Sequence, residues 1–514
     1  MKSRVWMGSF MVLALSAGLV VACGDDDDPA TPTPDSGTPP VPTGDSGNPP
    51  VPDSSTPDAP AADGGVEASA PITPQTTTRI PNAINPYGLT FASDGFLYAS
   101  GATIDDTSDR VLAVWRFKDG VLDTTFGTGG VVTTAIDGAE SSFGIVEVSP
   151  GNFVVQATTS GTAGKVYLVK LTKDGAGAFS FGTPVVVPFD WTDGDFSEWP
   201  GANPPVYNNS WSIGLDKSVA ATPKIVVFAH GAPAKVGDLA TQRTDNDRWV
   251  ARVLADTLAP DPAFNDGKAF TTDGDGKGLP DNARRGLVLA DGTIVSAGYT
   301  DYGTGLRNHV VLVRLKPDGK VDPTFGFGTT APGVPGQTKV NPFVGVTGGF
   351  AEAYAVVRQS GGRLVTTGYG TTNFEVPSVG LDMVVLGFKA DGLDPTFGKL
   401  GAFAWQSEGD KGAGLGAAPF TDRGRDMTIL PDDRLVFAGV YDDYASIFVL
   451  DKDGKPDKSV GVNGVIEYSY PAAFFKVVAS PDGKQIAATA QSLNQTGDAA
   501  APLGSVLVTL KVGQ

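Results

Sequence analysis

From about residue 88 to the end, apolar and polar positions alternate in short runs, with no long helical periodicity. The runs are rich in Val, Ile, Tyr, Phe and Thr, and are punctuated by Asp-Gly, Gly-Gly and Pro-Gly. That is the pattern of strands joined as hairpins. Residues 353–406 illustrate one unit. AYAVVRQ is a strand, Ser-Gly-Gly turns it, and RLVTTGYG is a second strand. After a variable loop, DMVVLGFK is a third strand, ending in Ala-Asp-Gly. LDPTFGKLGAFAWQ then carries a recurrent phrase and a fourth strand.

The same order recurs about every sixty residues. Seven units are legible, opening with GLTFASDGFLYASGAT, GIVEVSPGNFVVQATT, KIVVFAHG, RGLVLADGTIVSAGYT, AYAVVRQSGGRLVTTGYG, DMTILPDDRLVFAGVY and KVVASPDGKQIAATAQ. The phrase reads VDPTFG at 321–326, LDPTFG at 393–398 and LDTTFG at 122–127, with degenerate copies at Asp261, Asp457 and Ala178. Asp322 and Asp394 suit an Asx-type turn, and Pro323 and Pro395 preset φ. Phe126, Phe325 and Phe397 are the only large apolar groups of a polar junction, so they are expected as buried anchors between units. Gly127, Gly326 and Gly398 are expected in a backbone conformation that other residues resist. A group copied into most units is a structural corner rather than a catalytic site.

Four-stranded antiparallel units repeated radially make an all-β, seven-bladed β-propeller. The seventh unit lacks a fourth strand after SVLVTLKV, while TTTRIPNA (76–83) precedes the first unit unassigned. This segment is expected to close the ring as the outer strand of the last blade, removing both exposed edges. The pattern resembles the delta-60 repeat family of bacterial β-propeller repeats with their Asp-x-x-Phe-Gly corner, and more distantly the NHL type. The resemblance covers nearly all of 76–514 and is strongest at 322–326 and 394–398. It implies a fold and no reaction, because that family is defined by its repeat.

The opening MKSRVWMGSFMVLALSAGLVVAC has the basic start and apolar run of a secretory signal, too short for a comfortable membrane span. Val20-Val21-Ala22-Cys23 resembles the bacterial lipobox. The resemblance implies cleavage after residue 22, acylation of Cys23 and firm membrane anchoring. Gly24 then favours the outer membrane by the Gram-negative sorting pattern. Residues 23–75 form a Pro/Asp/Thr-rich segment, and Gly24 to Ala70 lack aromatics, Lys and Arg. Such a stretch cannot bury enough apolar surface to order itself, and reads as a disordered tether reaching on the order of 100 Å. The propeller follows at 76–514.

Charge and composition then narrow the chemistry. A net charge of −19 argues against nucleic acid, which needs a basic face. Cys23 is the sole cysteine, which excludes a disulfide scaffold and thiol catalysis. Counting back from the first turn of each unit gives Tyr87, Phe143, Arg284, Tyr354, Arg425 and Phe475 at one repeat position, with Trp211 near it in the irregular third unit. Arg285, Asp426 and Lys476 come next. Such a ring can stack on and neutralise an anionic or peptide ligand. Alternatively, the position packs between blades with its arginines snorkelling outward.

The third unit carries an insertion at 189–211, in which Trp191, Trp199 and Trp211, with Asp193, Asp195 and Glu198, suit a sugar platform or a self-packed loop. TDGDGKGLPDN (272–282) is a weak calcium-loop pattern; otherwise no cofactor is expected. His230 and His309 sit at structural-looking strand positions, and no nucleophile elbow, zinc helix or P-loop is present. The expectation is a monomeric, lipid-anchored envelope protein that binds a protein, peptide or glycan. The alternative is a propeller hydrolase or lyase acting on extracellular polymers.

Overall fold

The computed structural model describes residues 70–513, apart from 105–109, 137–138, 160–164, 188–208, 232–245, 273–280, 301–307, 327–335, 344, 347, 373–380, 406–421, 443, 470–471 and 491–503. The lipidation position Cys23 and the tether lie outside the described residues. Seven antiparallel blades follow one another in chain order, the first two joined by a single parallel bridge between Pro86 and Ser142. Their innermost strands are Ile84–Phe91, Ala139–Ser149, Asn209–Asp216, Asp281–Val288, the interrupted pair Phe350–Ala351 and Ala355–Arg358, Arg423–Ile429, and Phe474–Ala479. This is the seven-bladed propeller that the repeat predicts. The second strands are buried along nearly their whole length, as in Lys224–Gly231 and Ile294–Thr300, because each blade is covered on both faces by its neighbours.

The last blade is completed from the other end of the described chain. Strand Ile72–Pro81 pairs antiparallel with Gly504–Val512, from Ile72 against Val512 to Pro81 against Gly504. It starts four residues before the expected segment. Ile72 and Ile80 are buried, the Gly513 amide donates to the Pro71 carbonyl, and Arg434 of the sixth blade reaches the Ala70 carbonyl at 2.6 Å.

Tight turns between first and second, and between third and fourth, strands all lie at one end of the blades, the turn end. The other connections lie at the opposite, loop end. The recurrent phrase sits at the turn end and is a clasp. The Asp322 carboxylate accepts from the Thr324 amide at 3.0 Å and hydroxyl at 2.7 Å, and its second oxygen accepts from Arg314 Nε at 2.8 Å. The Arg314 guanidinium covers Phe325 at 4.7 Å. Asp394, Thr396, Arg363 and Phe397 repeat this, as do Asp123, Thr125, Arg116 and Phe126. The degenerate copies at Asp261 and Asp457 keep it too, with Arg252 on Asp261 and Phe264, and Arg434 on Asp457, whereas the copy at Ala178 has no carboxylate to form it.

Each anchoring phenylalanine is buried beneath its neighbour's turn. A Cβ on Gly319 would stand 2.7 Å from Phe264, and one on Gly454 2.7 Å from Phe397. Gly127, Gly326 and Gly398 have φ of 55°, 86° and 52°, as the turn requires. The Gly326 amide donates to the Ala390 carbonyl and that of Gly398 to Asp453, tying each corner to the next blade.

The clasps also set the acid response. The Thr125 hydroxyl, with its amide and Arg116, holds the Asp123 carboxyl below its ordinary range. Burial alone would raise Asp322, Asp394 and Asp457, but the hydroxyls of Thr324, Thr396 and Ser459 and the adjoining cations outweigh it. A depressed folded pKa stabilises above the unfolded value near 3.9, and that contribution is lost as pH falls through it towards the folded one. The melting temperature should therefore fall steeply below about pH 4. Asp394→Asn should melt lower at pH 7 and show a shallower acid dependence, read by circular dichroism. A chain beginning at Asn82 should lose at least about 3 kcal/mol of stability against one beginning at Ala70, since two buried isoleucines go with the closing strand; urea denaturation measures it.

Candidate functional site

At the axis, the ladder between first and second strands is broken in every blade at the same place. Register shifts fall between Ile84 and Gly88, Ser141 and Gly144, Ser210 and Ser212, Ala283 and Gly286, Gly424 and Asp426, and Phe474 and Lys476. In the fifth blade the inner strand is interrupted before Ala355. A bulge re-aims one side chain, and here that side chain is Tyr87, Phe143, Trp211, Arg284, Tyr354, Arg425 or Phe475. Glycines on the second strands make room for the displaced backbone. A Cβ on Gly298 would stand 1.8 Å from the Asn282 carbonyl oxygen, and one on Gly439 2.0 Å from that of Arg423.

These seven side chains form a closed ring in blade order. Tyr87 and Phe143 have ring centroids 5.0 Å apart, and Phe143 and Trp211 4.7 Å. The Arg284 guanidinium carbon lies 4.2 Å from the centre of Trp211 and 4.8 Å from that of Tyr354. That of Arg425 lies 5.1 Å from Tyr354 and 4.9 Å from Phe475, which returns to Tyr87 at 4.4 Å. All seven are buried, between 1% and 7% exposed. The arginines thus turn inward, and the alternative in which they snorkel outward does not hold. Each position lies near the start of its inner strand, which places the ring towards the loop end.

The ring has two unlike arcs. Phe475, Tyr87, Phe143 and Trp211 are wholly aromatic. Across from them, Arg284 donates to the hydroxyls of Tyr299 at 2.7 Å and Tyr354 at 3.3 Å, and the hydroxyls of Tyr354 and Tyr369 lie 3.1 Å apart. Arg423, at the head of its strand, adds a third guanidinium over Tyr369 at 4.9 Å. Tyr299, Tyr369 and Arg423 were not anticipated; a tyrosine directly after the second-strand glycine (Gly298, Gly368) is their signal.

In three blades the next residue (Arg285, Asp426 or Lys476) builds a second layer. Arg285 crosses the axis, donating to the carbonyls of Phe143 at 3.4 Å, Trp211 at 3.2 Å and Phe475 at 2.8 Å, and pairing with Asp426 at 3.0 Å. Lys476 holds the other Asp426 oxygen at 3.0 Å, and that oxygen also accepts from the Val477 amide. Burial pushes the pKa of Arg285 and Lys476 down, and Asp426 opposes it at both.

The other candidates fall elsewhere. Trp211 belongs to the innermost strand Asn209–Asp216 and to the axial ring; Trp191, Trp199, Asp193, Asp195 and Glu198 lie outside the described residues. Of the calcium pattern, 273–280 likewise lie outside, while Asp281 and Asn282 are buried in a strand. His230 Nδ1 is 3.0 Å from the Ala283 carbonyl oxygen, and His309 is buried opposite Thr300. Among the described residues no group of three or more His, Asp or Glu is placed to hold a metal ion.

Asp426→Asn leaves two buried cations facing each other. It should cost about 3–5 kcal/mol in urea unfolding, whereas Arg285→Met with Asp426→Leu should cost less than Asp426→Asn alone.

Comparison with known proteins agrees with this architecture. The family described as "Domain of unknown function (DUF5122) beta-propeller" matches residues 289–325, the first turn, middle strands and corner of the fourth blade. No curated protein sequence matches. Among solved structures, the PQQ-bound aldose sugar dehydrogenase from Streptomyces coelicolor is 12% identical, with 85% of this chain and 99% of that one covered and a TM-score of 0.37. The β-propeller domain of the Trilobed protease from Pyrococcus furiosus is 8% identical, with 84% and 95% covered and a TM-score of 0.38. The chain is a β-propeller, and part of its fourth blade matches that family's model.

Proposed function

We propose that the protein is a lipoprotein of the bacterial outer membrane, anchored through Cys23, whose monomeric propeller binds a protein, peptide or glycan at the loop end of its axis. The axial ring carries this reading. It gathers aromatic faces and guanidinium groups at one point, and that pairing recognises partners offering both a flat face and an anionic or polar edge. It also lies towards the end where connections vary most in length, the usual place for recognition on a rigid scaffold. A hydrolase or lyase would need a carboxylate at liberty to exchange protons; at the axis Asp426 is committed to Arg285 and Lys476.

The test is a glycan-array and envelope-protein screen with the chain beginning at Gly24, keeping the closing strand. Arg284→Lys and Arg425→Lys preserve charge and bulk but lose the planar guanidinium. Each should weaken the partner at least tenfold, about 1.4 kcal/mol, in a protein that circular dichroism shows to be still folded. A folded protein that retains no partner, or binds equally well in both variants, would count against the reading. Cys23→Ala should abolish fatty-acid labelling and release the protein from membranes.

A further inference from the structure

A cleft of about 470 Å³ opens at the turn end, between the fifth and sixth blades. Gly361, Gly362, Arg363, Lys389, Asp433 and Lys452 are among its walls. Its origin lies in the repeat. In the first, fourth, sixth and seventh blades, the hairpin joining the first two strands holds an aspartate whose carboxylate accepts from the amide two residues on. The pairs are Asp94 with Phe96 at 3.1 Å, Asp291 with Thr293 at 2.9 Å, Asp432 with Arg434 at 3.2 Å and Asp482 with Lys484 at 3.1 Å.

The fifth blade has the same hairpin, with the Gly362 amide donating to the Gln359 carbonyl as Gly95 does to Ala92 and Gly292 to Leu289. Its aspartate position is Gly361. The corresponding amide is that of Arg363, and no described residue accepts from it. A Cβ built on Gly361 meets nothing within 4 Å. The substitution thus leaves open, solvent-facing space beside an amide that no described residue accepts from. The sister turns show what that donor prefers: the Thr293 amide is the main reason that the Asp291 carboxyl sits below its ordinary value.

We propose that this cleft binds the carboxylate group of a small molecule, which takes the place that an aspartate side chain fills in the four sister turns. The Arg363 amide receives one oxygen, and Lys389 and Lys452 supply positive charge in the walls. Both lysines are about half exposed and already face carboxylates, Asp394 at 2.9 Å and Asp453 at 2.7 Å, so selectivity rests on the amide rather than on bulk charge. The cleft has room for a ligand larger than acetate, such as a sugar acid. It lies at the end of the blades opposite the loop end, so its failure and that of the axial reading are separable.

The experiment follows the Arg363 amide resonance in the perdeuterated, ¹⁵N-labelled chain during titration with acetate, glucuronate, glucose and chloride at matched ionic strength. Acetate and glucuronate should shift it saturably and slow its hydrogen exchange at least tenfold at saturation, while glucose and chloride should not. Gly361→Asp should reproduce the shifted resonance without ligand, abolish the acetate response and raise the melting temperature. Gly361→Ala, which fills space without an acceptor, should keep the response. No saturable shift, an equal response to chloride, or an acetate response surviving in Gly361→Asp would overturn the proposal.

Discussion

Seven twisted sheets packed side by side leave a hole where their inner edges meet, and everything else in this molecule depends on how that hole is filled. Straight inner strands would present alternating side chains to it. The bulges instead add one residue, or two in the first blade, and throw a single large side chain onto the axis. Seven such groups touch in sequence and close the ring. The layer beneath contributes one guanidinium spanning carbonyls from three other blades and a carboxylate from a fourth. A buried charge of that kind is costly unless its donors are used. The inner strands whose carbonyls it takes supply acceptors that the bulges have freed from the ladder.

At the opposite end, blades are held by clasps that conserve an arrangement of atoms rather than residues at fixed positions. Asp322 and Asp261 take their guanidinium from the third strand, through Arg314 and Arg252. Asp394 and Asp457 take theirs from the start of the second strand, through Arg363 and Arg434. Where the arginine moves, its former place shrinks: Gly387 stands where Arg314 does one blade earlier, and a Cβ there would come 2.6 Å from Phe397. Volume and charge are both satisfied, by different residues.

That substitution explains what the sequence could and could not disclose. The strands, the seven units, the closing strand, the buried phenylalanines and all seven ring positions (Tyr87, Phe143, Trp211, Arg284, Tyr354, Arg425 and Phe475) are legible, because alternation and Gly/Asp/Pro punctuation are local and recur. The arginine of each clasp is not, since it comes from either of two strands, at separations that range from 7 to 31 residues before its aspartate. The bulges were missed as well, although Gly101, Gly298, Gly368 and Gly439 announce them: a glycine in a strand marks close backbone approach, and here it faces the bulge. Trp211 was half-read. Its blade begins directly after the longest break in the repeat, so the strand was taken for the tail of an insertion.

The geometry of the ring dictates size but not identity. Any seven large side chains would fill the axis, and phenylalanine at each position would do so with less desolvation than arginine. Burying Arg284 and Arg425 between tyrosine, tryptophan and phenylalanine faces sacrifices hydration that packing alone does not require. Cation–π contact and tyrosine hydroxyls recover part of that cost. The remainder is a stability that the fold forgoes on one side of an otherwise apolar ring, near its loop end. An asymmetry held against the symmetry of the repeat, where packing would favour the simpler choice, is the physical ground for placing recognition there.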